Sequence, residues 1–341
     1  MLKKITILLM TIFLTFLSAQ ETNKNLGKFI GAKESFTPSW FYNSFLDLNE
    51  DIEELASNNK RLILYISQNN CPYCHKFVNE NLQDKEIVDK IKTNFEMINI
   101  DMFGNNEVVD INGDELSEKD YAIKHKIQFT PTFIFFDEKS NEILRLNGYV
   151  NIKQFNIALD YISNKNETKI AYKDFLSKEL NLNVKTDLIE NSIFSENRNF
   201  ARNKNSKAMA IFFESPNCKE CEILHNKLLK NDFTLELLSK LELNRVNMNS
   251  EKSVVTPQKI ISKIKDWSND LKINHTPTII FFDEKGNEII RIESLIKTFH
   301  FQSIIDYVGS GAYKEEKEFQ RYLTKRANAI REKGIDVNIW D

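Results

Sequence analysis

A chain that writes the same passage twice has to fold the same way twice. Thr130-Pro131-Thr132 and the Phe135-Phe136-Asp137-Glu138-Lys139 that follows return as Thr276-Pro277-Thr278 and Phe281-Phe282-Asp283-Glu284-Lys285, 146 positions later. Phe155, Asp160 and Tyr161 return at the same offset as Phe301, Asp306 and Tyr307. The pair Cys71 and Cys74 returns 147 positions on as Cys218 and Cys221. Solenoid and propeller repeats run roughly 20–50 residues, so this period is far too long for stacked units. Each copy is large enough to enclose its own core, and 25 phenylalanines supply the material. The expectation is two tandem domains of one α/β fold.

Within a copy the order of signals is regular. Leu62 to Ile66 is a compact apolar run of strand type, and Phe77, Val78, Leu82, Ile87, Val88, Ile91 and Phe95 then keep a helical spacing. The join between them places Cys71 at a helix N-terminus, where free N–H groups and the helix dipole favour a thiolate. Phe95 to Ile100 reads as a strand, Asn112-Gly113 as a two-residue hairpin turn, and Phe133 to Phe136 as a core strand. Glu142 to Leu146 adds another strand, and Phe155 to Ile162 a closing helix. Strands mixed with helices predict, in each copy, a central mixed sheet flanked by helices on both faces. Beyond the second copy, Glu315 to Lys333 carries Phe319, Tyr322, Leu323, Ala327 and Ile330 on one helical face, with Gly334 as its stop.

Met1 to Ala19 has two lysines, an apolar run from Ile5 to Leu17 and then Ser18-Ala19, the pattern of an export signal. A retained N-terminal membrane anchor is the alternative reading. The expected division is therefore 1–19 signal, 20–165 first domain, 166–206 helical and polar linker, and 207–341 second domain with its C-terminal helix. Removing the signal takes the formal charge from −3 to −5. A weakly acidic chain without a basic block speaks against nucleic acid as a partner.

All four cysteines fall into two C-x-x-C pairs. A thiolate three residues before a second thiol can attack a disulfide and then be released by its neighbour, which is thiol–disulfide exchange. Three other readings compete. Cys71-Pro72-Tyr73-Cys74-His75 matches the haem-attachment pattern, but the second copy has Glu222 where the first has His75. Four sulfurs would suit zinc, but only if equivalent surfaces of the two domains faced each other. A static disulfide closes so small a loop that it constrains the unfolded chain little. That reading suits Cys218-Lys219-Glu220-Cys221 better, because Glu220 opposes a neighbouring thiolate.

The Cys-Pro-Tyr-Cys motif, the strand before it and the later Thr-Pro-Thr strand together resemble a thioredoxin fold. With Trp40-Phe41, Ser44 to Asp47, Asn112-Gly113 and Arg145 to Tyr149, the chain looks similar to exported thioredoxin-related proteins of the SoxW-like group. The resemblance covers nearly all of the chain after residue 19, once per half. It implies a thiol–disulfide oxidoreductase, most simply a reductase of protein disulfides recharged by a membrane electron donor, with no cofactor and no metal. An oxidase or isomerase, or a peptide-binding chaperone module with one redox-inactive domain, is the alternative. Cys71, Cys74, Cys218 and Cys221 are then the catalytic residues. Pro72, Tyr73, Thr130, Pro131, Thr276 and Pro277 are the substrate-binding ones, and Pro131 and Pro277 should follow cis peptide bonds. One departure stands out: the family's buried acid on the strand before the cysteines corresponds to Tyr65 and Phe212, both uncharged.

Overall fold

The computed structural model describes residues 26–180, 187–195, 197–203 and 205–341; the expected signal at 1–19 lies outside the described residues. In chain order the first unit comprises β1 (Phe29–Ile30), α1 (Leu48–Ser57), β2 (Arg61–Ser67), α2 (Pro72–Glu80), α3 (Lys85–Asn94), β3 (Phe95–Asp101), β4 (Glu107–Val109), β5 (Glu115–Ser117), α4 (Glu118–Lys124), β6 (Thr132–Phe136), β7 (Glu142–Asn147), α5 (Ile152–Ser163) and α6 (Tyr172–Glu179). Its sheet runs β3-β2-β6-β7, with β2 parallel to β3 and the other pairings antiparallel. Strand β2 is apolar throughout because both of its faces are covered. Ile63 and Tyr65 pack under α2, α3 and α5, while Leu62, Leu64 and Ile66 pack under α1 and α4. This is the mixed sheet flanked by helices that the sequence predicts.

The second unit repeats it. It contains β8 (Met209–Glu214), α7 (Lys219–Asn226), α8 (Asp232–Leu238), β9 (Glu242–Asn247), β10 (Ser253–Val255), β11 (Ile261–Lys263), α9 (Ile264–Asp270), β12 (Thr278–Phe282), β13 (Glu288–Ile292) and α10 (Thr298–Gly309). The sheet order β9-β8-β12-β13 mirrors the first. Before β8, Ser195 bridges to Asn244 and Asn199 to Val255, and the Phe194 ring lies 4.8 Å from that of Phe212. After α10 come α11 (Phe319–Glu332) and β14 (Val337–Asn338).

Two local expectations are corrected. The helical pattern after Cys71 is broken between α2 and α3 by a turn at Asn81–Gln83. Buried Asn81 donates from Nδ2 to the Val150 carbonyl at 3.0 Å, and Asp84 starts the next helix by accepting the Ile87 N–H. The Asn112-Gly113 connection is a five-residue loop rather than a two-residue turn. There the Asp110 carboxylate accepts the N–H groups of Asn112 and Asp114 and holds Lys124. The backbone turn persists inside the loop, with the Gly113 N–H on the Asp110 carbonyl at 2.9 Å, and the Asp110 side chain reinforces it.

The two units are tied together at both ends of the described chain. Strands β1 and β14 pair in parallel, Phe29 with Val337 and Ile30 with Asn338. The Val337 N–H donates to the Lys28 carbonyl, and the Ile339 N–H to that of Ile30. Arg331 donates from Nε to the Gly27 carbonyl at 2.8 Å and accepts the Gly27 N–H on its own carbonyl. Elsewhere Phe129 meets Phe319, Gln320 donates to the Gln128 carbonyl, and Lys173 reaches Asn269. Gly27 is there because nothing larger fits: a Cβ would sit 2.0 Å from the Ile335 carbonyl oxygen. Gly27→Ala should therefore lift β1 and cost about 1–3 kcal/mol of local protection, the scale of a named steric or hydrogen-bond defect. Hydrogen exchange of the Val337 and Ile339 amides should speed up by about 5- to 150-fold on that scale, while the amides of β2 stay unchanged. Unaltered exchange at both would remove the clasp from the account.

Candidate functional site

Each cysteine pair sits where a central strand ends and a helix begins. Cys71 is the N-cap of α2, in extended backbone conformation, and its Sγ accepts the Cys74 N–H at 3.0 Å. Pro72 occupies the first helical turn, where its missing N–H costs nothing. Cys218 caps α7 in the same way, with the Cys221 N–H at 2.9 Å from its Sγ. The pairs form separate disulfides, Cys71–Cys74 and Cys218–Cys221. All four sulfurs are largely covered: Cys71 is 2% exposed, Cys74 0%, Cys218 6% and Cys221 1%.

The Thr-Pro-Thr segments arrive opposite. Thr130–Pro131 and Thr276–Pro277 are both cis. Thr130 Oγ1 donates to the Cys71 sulfur at 3.3 Å, and the Thr130 carbonyl oxygen lies 3.5 Å from that sulfur. In the second unit Thr276 instead shares a 2.9 Å hydrogen bond with Ser215 Oγ. The chemistry such an arrangement supports is nucleophilic. A sulfur anion at a helix start is stabilised by N–H groups and the dipole, with a second sulfur one turn behind it.

Tyr73 is placed in the contact between the units. Its hydroxyl accepts the Lys297 N–H at 2.9 Å, and its ring stands edge-on to His300 and Trp340. Burial pushes the Tyr73 phenol well up from its usual range. His75 Nδ1 donates to the Glu34 carbonyl at 2.7 Å, which fastens it to the N-terminal lead. The first pair is therefore overhung by the second unit. The resulting cavity, about 660 Å³, is lined by Cys71, Phe129, Thr130 and Tyr149 on one side and by Ile292, Phe299 and Leu323 on the other.

Beneath the pairs the two units differ. Tyr65, at the position of the missing acid, joins an aromatic cluster with Phe77 and Phe133, each ring centre 5.5 Å away. The end of the strand carries Ser67, bonded to Asn99. In the second unit the equivalent of Ser67 is Glu214, 1% exposed, and His225 on α7 meets its carboxylate through Nε2 at 2.9 Å and 3.1 Å. Asn191 Nδ2 donates to His225 Nδ1, so in this network Nε2 carries the proton given to Glu214. Arg245 stands 3.9 Å from the same carboxylate. The sequence reading missed this network. The available signal was a glutamate closing the apolar run Met209–Phe213, with a histidine one turn past Cys221.

Two predictions follow from the burial of these groups. His225→Ala leaves the Glu214 carboxylate covered and without its donor, which should cost about 3 kcal/mol, as for a broken buried pair. Denaturant unfolding checks it, and a change below about 1 kcal/mol would mean that water reaches Glu214. The second concerns His300, whose Nδ1 is enclosed without a hydrogen-bond partner and whose pKa burial pushes down from 6.5 to about 4. The unfolded chain takes up this proton first, so the stability from neutral His300 is complete above pH 6.5 and declines toward pH 4. His300→Phe should unfold with a shallower pH dependence across that window; an identical slope would refute the assignment.

A family model described as a thioredoxin-like domain matches residues 48–163 and again 194–309. Among solved structures, a thioredoxin-fold protein from Helicobacter pylori is 27% identical over 36% of this chain and 81% of its own, with a TM-score of 0.32. A protein disulfide oxidoreductase from Aeropyrum pernix is 12% identical over 81% of this chain and 97% of its own, at a TM-score of 0.24. The C-terminal domain of DsbD from Neisseria meningitidis is 12% identical over 35% of this chain and 97% of its own, at 0.27. No curated protein matches the chain.

Proposed function

From the premise that the chain belongs to the thioredoxin-like domain family and is a thiol–disulfide oxidoreductase, we propose that it is an exported reductase of protein disulfides led by its first pair. The observation that carries this is the Cys71 sulfur itself. It caps a helix, receives the Cys74 N–H and the Thr130 hydroxyl, and lines a cavity large enough for a polypeptide segment. Export rests on the signal pattern at 1–19. No helix among the described residues is long and apolar enough to cross a membrane.

In the proposed cycle a dithiol of a membrane electron donor first reduces Cys71–Cys74, passing two electrons and leaving as a disulfide. The Cys71 thiolate then attacks one sulfur of a substrate disulfide. The Cys71–substrate bond forms as the substrate S–S bond breaks, and the departing thiolate takes a proton from solvent. Cys74, deprotonated, attacks Cys71 Sγ and expels the second substrate thiolate, which restores the Cys71–Cys74 disulfide. Donors aimed at the Cys71 sulfur stabilise it as attacking and as leaving group. Pro72 and Pro131 themselves bring no backbone N–H beside the sulfurs, so the Cys74 N–H keeps its place on Cys71, and Thr130 and Tyr73 border the substrate's approach. Cys218 and Cys221, with Thr276 and Pro277, form a second centre of the same class. Its Lys219-Glu220 insert and buried Glu214 give it a different thiolate balance.

The test is a pair of single substitutions in the native compartment. Cys74→Ser should stop at the mixed disulfide and accumulate covalent partners that reductant releases, about tenfold more than Cys71→Ser. Equal trapping by both variants would erase the assigned roles. Greater trapping by Cys221→Ser than by Cys74→Ser would move the lead to the second unit.

A further inference from the structure

We infer that the last helix and strand region of the second unit is the specificity wall of the first pair, selecting an extended polypeptide whose disulfide is flanked by an apolar side chain. This rests on the reading of Cys71 as the attacking thiol. The cavity beside Cys71 belongs to neither unit alone. Its floor is Cys71, Phe129 and Thr130, and its far side is Phe299 on α10 with Leu323 and Thr324 on α11.

That far side is fixed in place. Asn147 donates to Glu293 at 2.5 Å, Tyr73 accepts the Lys297 N–H at 2.9 Å, and Gln320 donates to the Gln128 carbonyl at 3.0 Å. These ties bracket the cavity along β7, α2 and the segment before Pro131, so the second unit is positioned against the sulfur by specific bonds.

Size and polarity then define the occupant. About 660 Å³ falls within the roughly 300–1,000 Å³ of pockets that engulf small ligands. It admits a few side chains of a chain segment but not the surface of a folded protein. Because Cys71 is 2% exposed, a disulfide has to be carried into the cavity to meet it. Two guanidinium groups in the lining are already engaged: Arg331 on the Gly27 carbonyl, and Arg321 on Glu318 and Glu316. At the rim Phe103 is 44% exposed and Phe29 44%, extending the apolar lining outward. An apolar residue beside the cystine gains that contact with Phe129, Phe299 and Leu323, whereas a polar one loses water against the same apolar side chains.

The experiment uses the full chain with Cys218→Ser and Cys221→Ser, so that only the first pair turns over, supplied with dithiothreitol. The substrates are two disulfide-bonded peptides that differ in one residue next to the cystine, Leu or Ser, and 2-hydroxyethyl disulfide as a small neutral control. The Leu peptide should be favoured about tenfold in kcat/KM, the scale on which apolar pockets discriminate. Thr324→Trp, on α11, should cut that preference to about twofold on the same scale, each variant's peptide rates being taken relative to its own turnover of 2-hydroxyethyl disulfide. Phe103→Ser should act in the same direction from the opposite rim. No preference in the parent protein, or a preference untouched by both substitutions, overturns the inference while the reductase reading stands. Failure to reduce any of the three disulfides overturns that reading, and the inference with it.

Discussion

Much of this structure depends on one short contact, a backbone N–H pointing at a sulfur. For Cys71 to cap α2, β2 must end at Ser67 and the chain must turn within a few residues into a helix. For the sulfur to be reached from outside, β6 must begin immediately across from it. The antiparallel register of β2 and β6, with Ile66 opposite Thr132, brings the Thr130–Pro131 bend to that place. The sheet is thus a ruler that sets the distance between a helix start and a strand start. Its apolar alternation, Ile63 and Tyr65 to one face and Leu64 and Ile66 to the other, keeps the ruler from slipping by one residue.

Duplication copied this frame and then let the chemistry beneath it diverge. Ser67 with Asn99 is a neutral, modest arrangement; Glu214 with His225, Asn191 and Arg245 concentrates charge in a covered place. Buried charge of this kind persists only when its hydrogen bonds are met; here His225 meets Glu214, and Asn191, from before β8, fixes the imidazole through its other nitrogen. The first unit has Ser67 and Val78 where the second has Glu214 and His225. Two sites of one fold therefore face different electrostatics.

The repeated frame was legible because every part of it leaves a local mark. An apolar strand, a cysteine at a helix start and a proline before a strand are each visible within a few residues, and the second copy checks the first. What escaped reading depends on partners far away in sequence. Asn81 breaks a good helical pattern because the Val150 carbonyl, 69 residues on, is waiting for it. The loop around Asn112-Gly113 is wider than a two-residue turn, and Asp110 there binds Lys124 from the following helix. Glu214 looks like the polar end of an apolar run until α7 and Asn191 close over it. The cavity at Cys71 was invisible in the same way, since Phe299 and Leu323 belong to an amphipathic pattern that reads equally well as packing on its own unit.

The parallel pairing of β1 with β14 has a consequence for order in time. Polypeptides emerge from synthesis beginning with the N-terminus, and domains fold largely as they appear. Phe29 and Ile30 must then wait, unpaired, until Val337 and Asn338 follow them some three hundred positions later. Until that moment the first unit can hold its sheet, its helices and its cysteine pair, but it lacks Phe299, Leu323 and Trp340 overhead. In a chain that folds from its N-terminus, Cys71 therefore receives its cover of Phe299, Leu323 and Trp340 only after the second unit has followed the first.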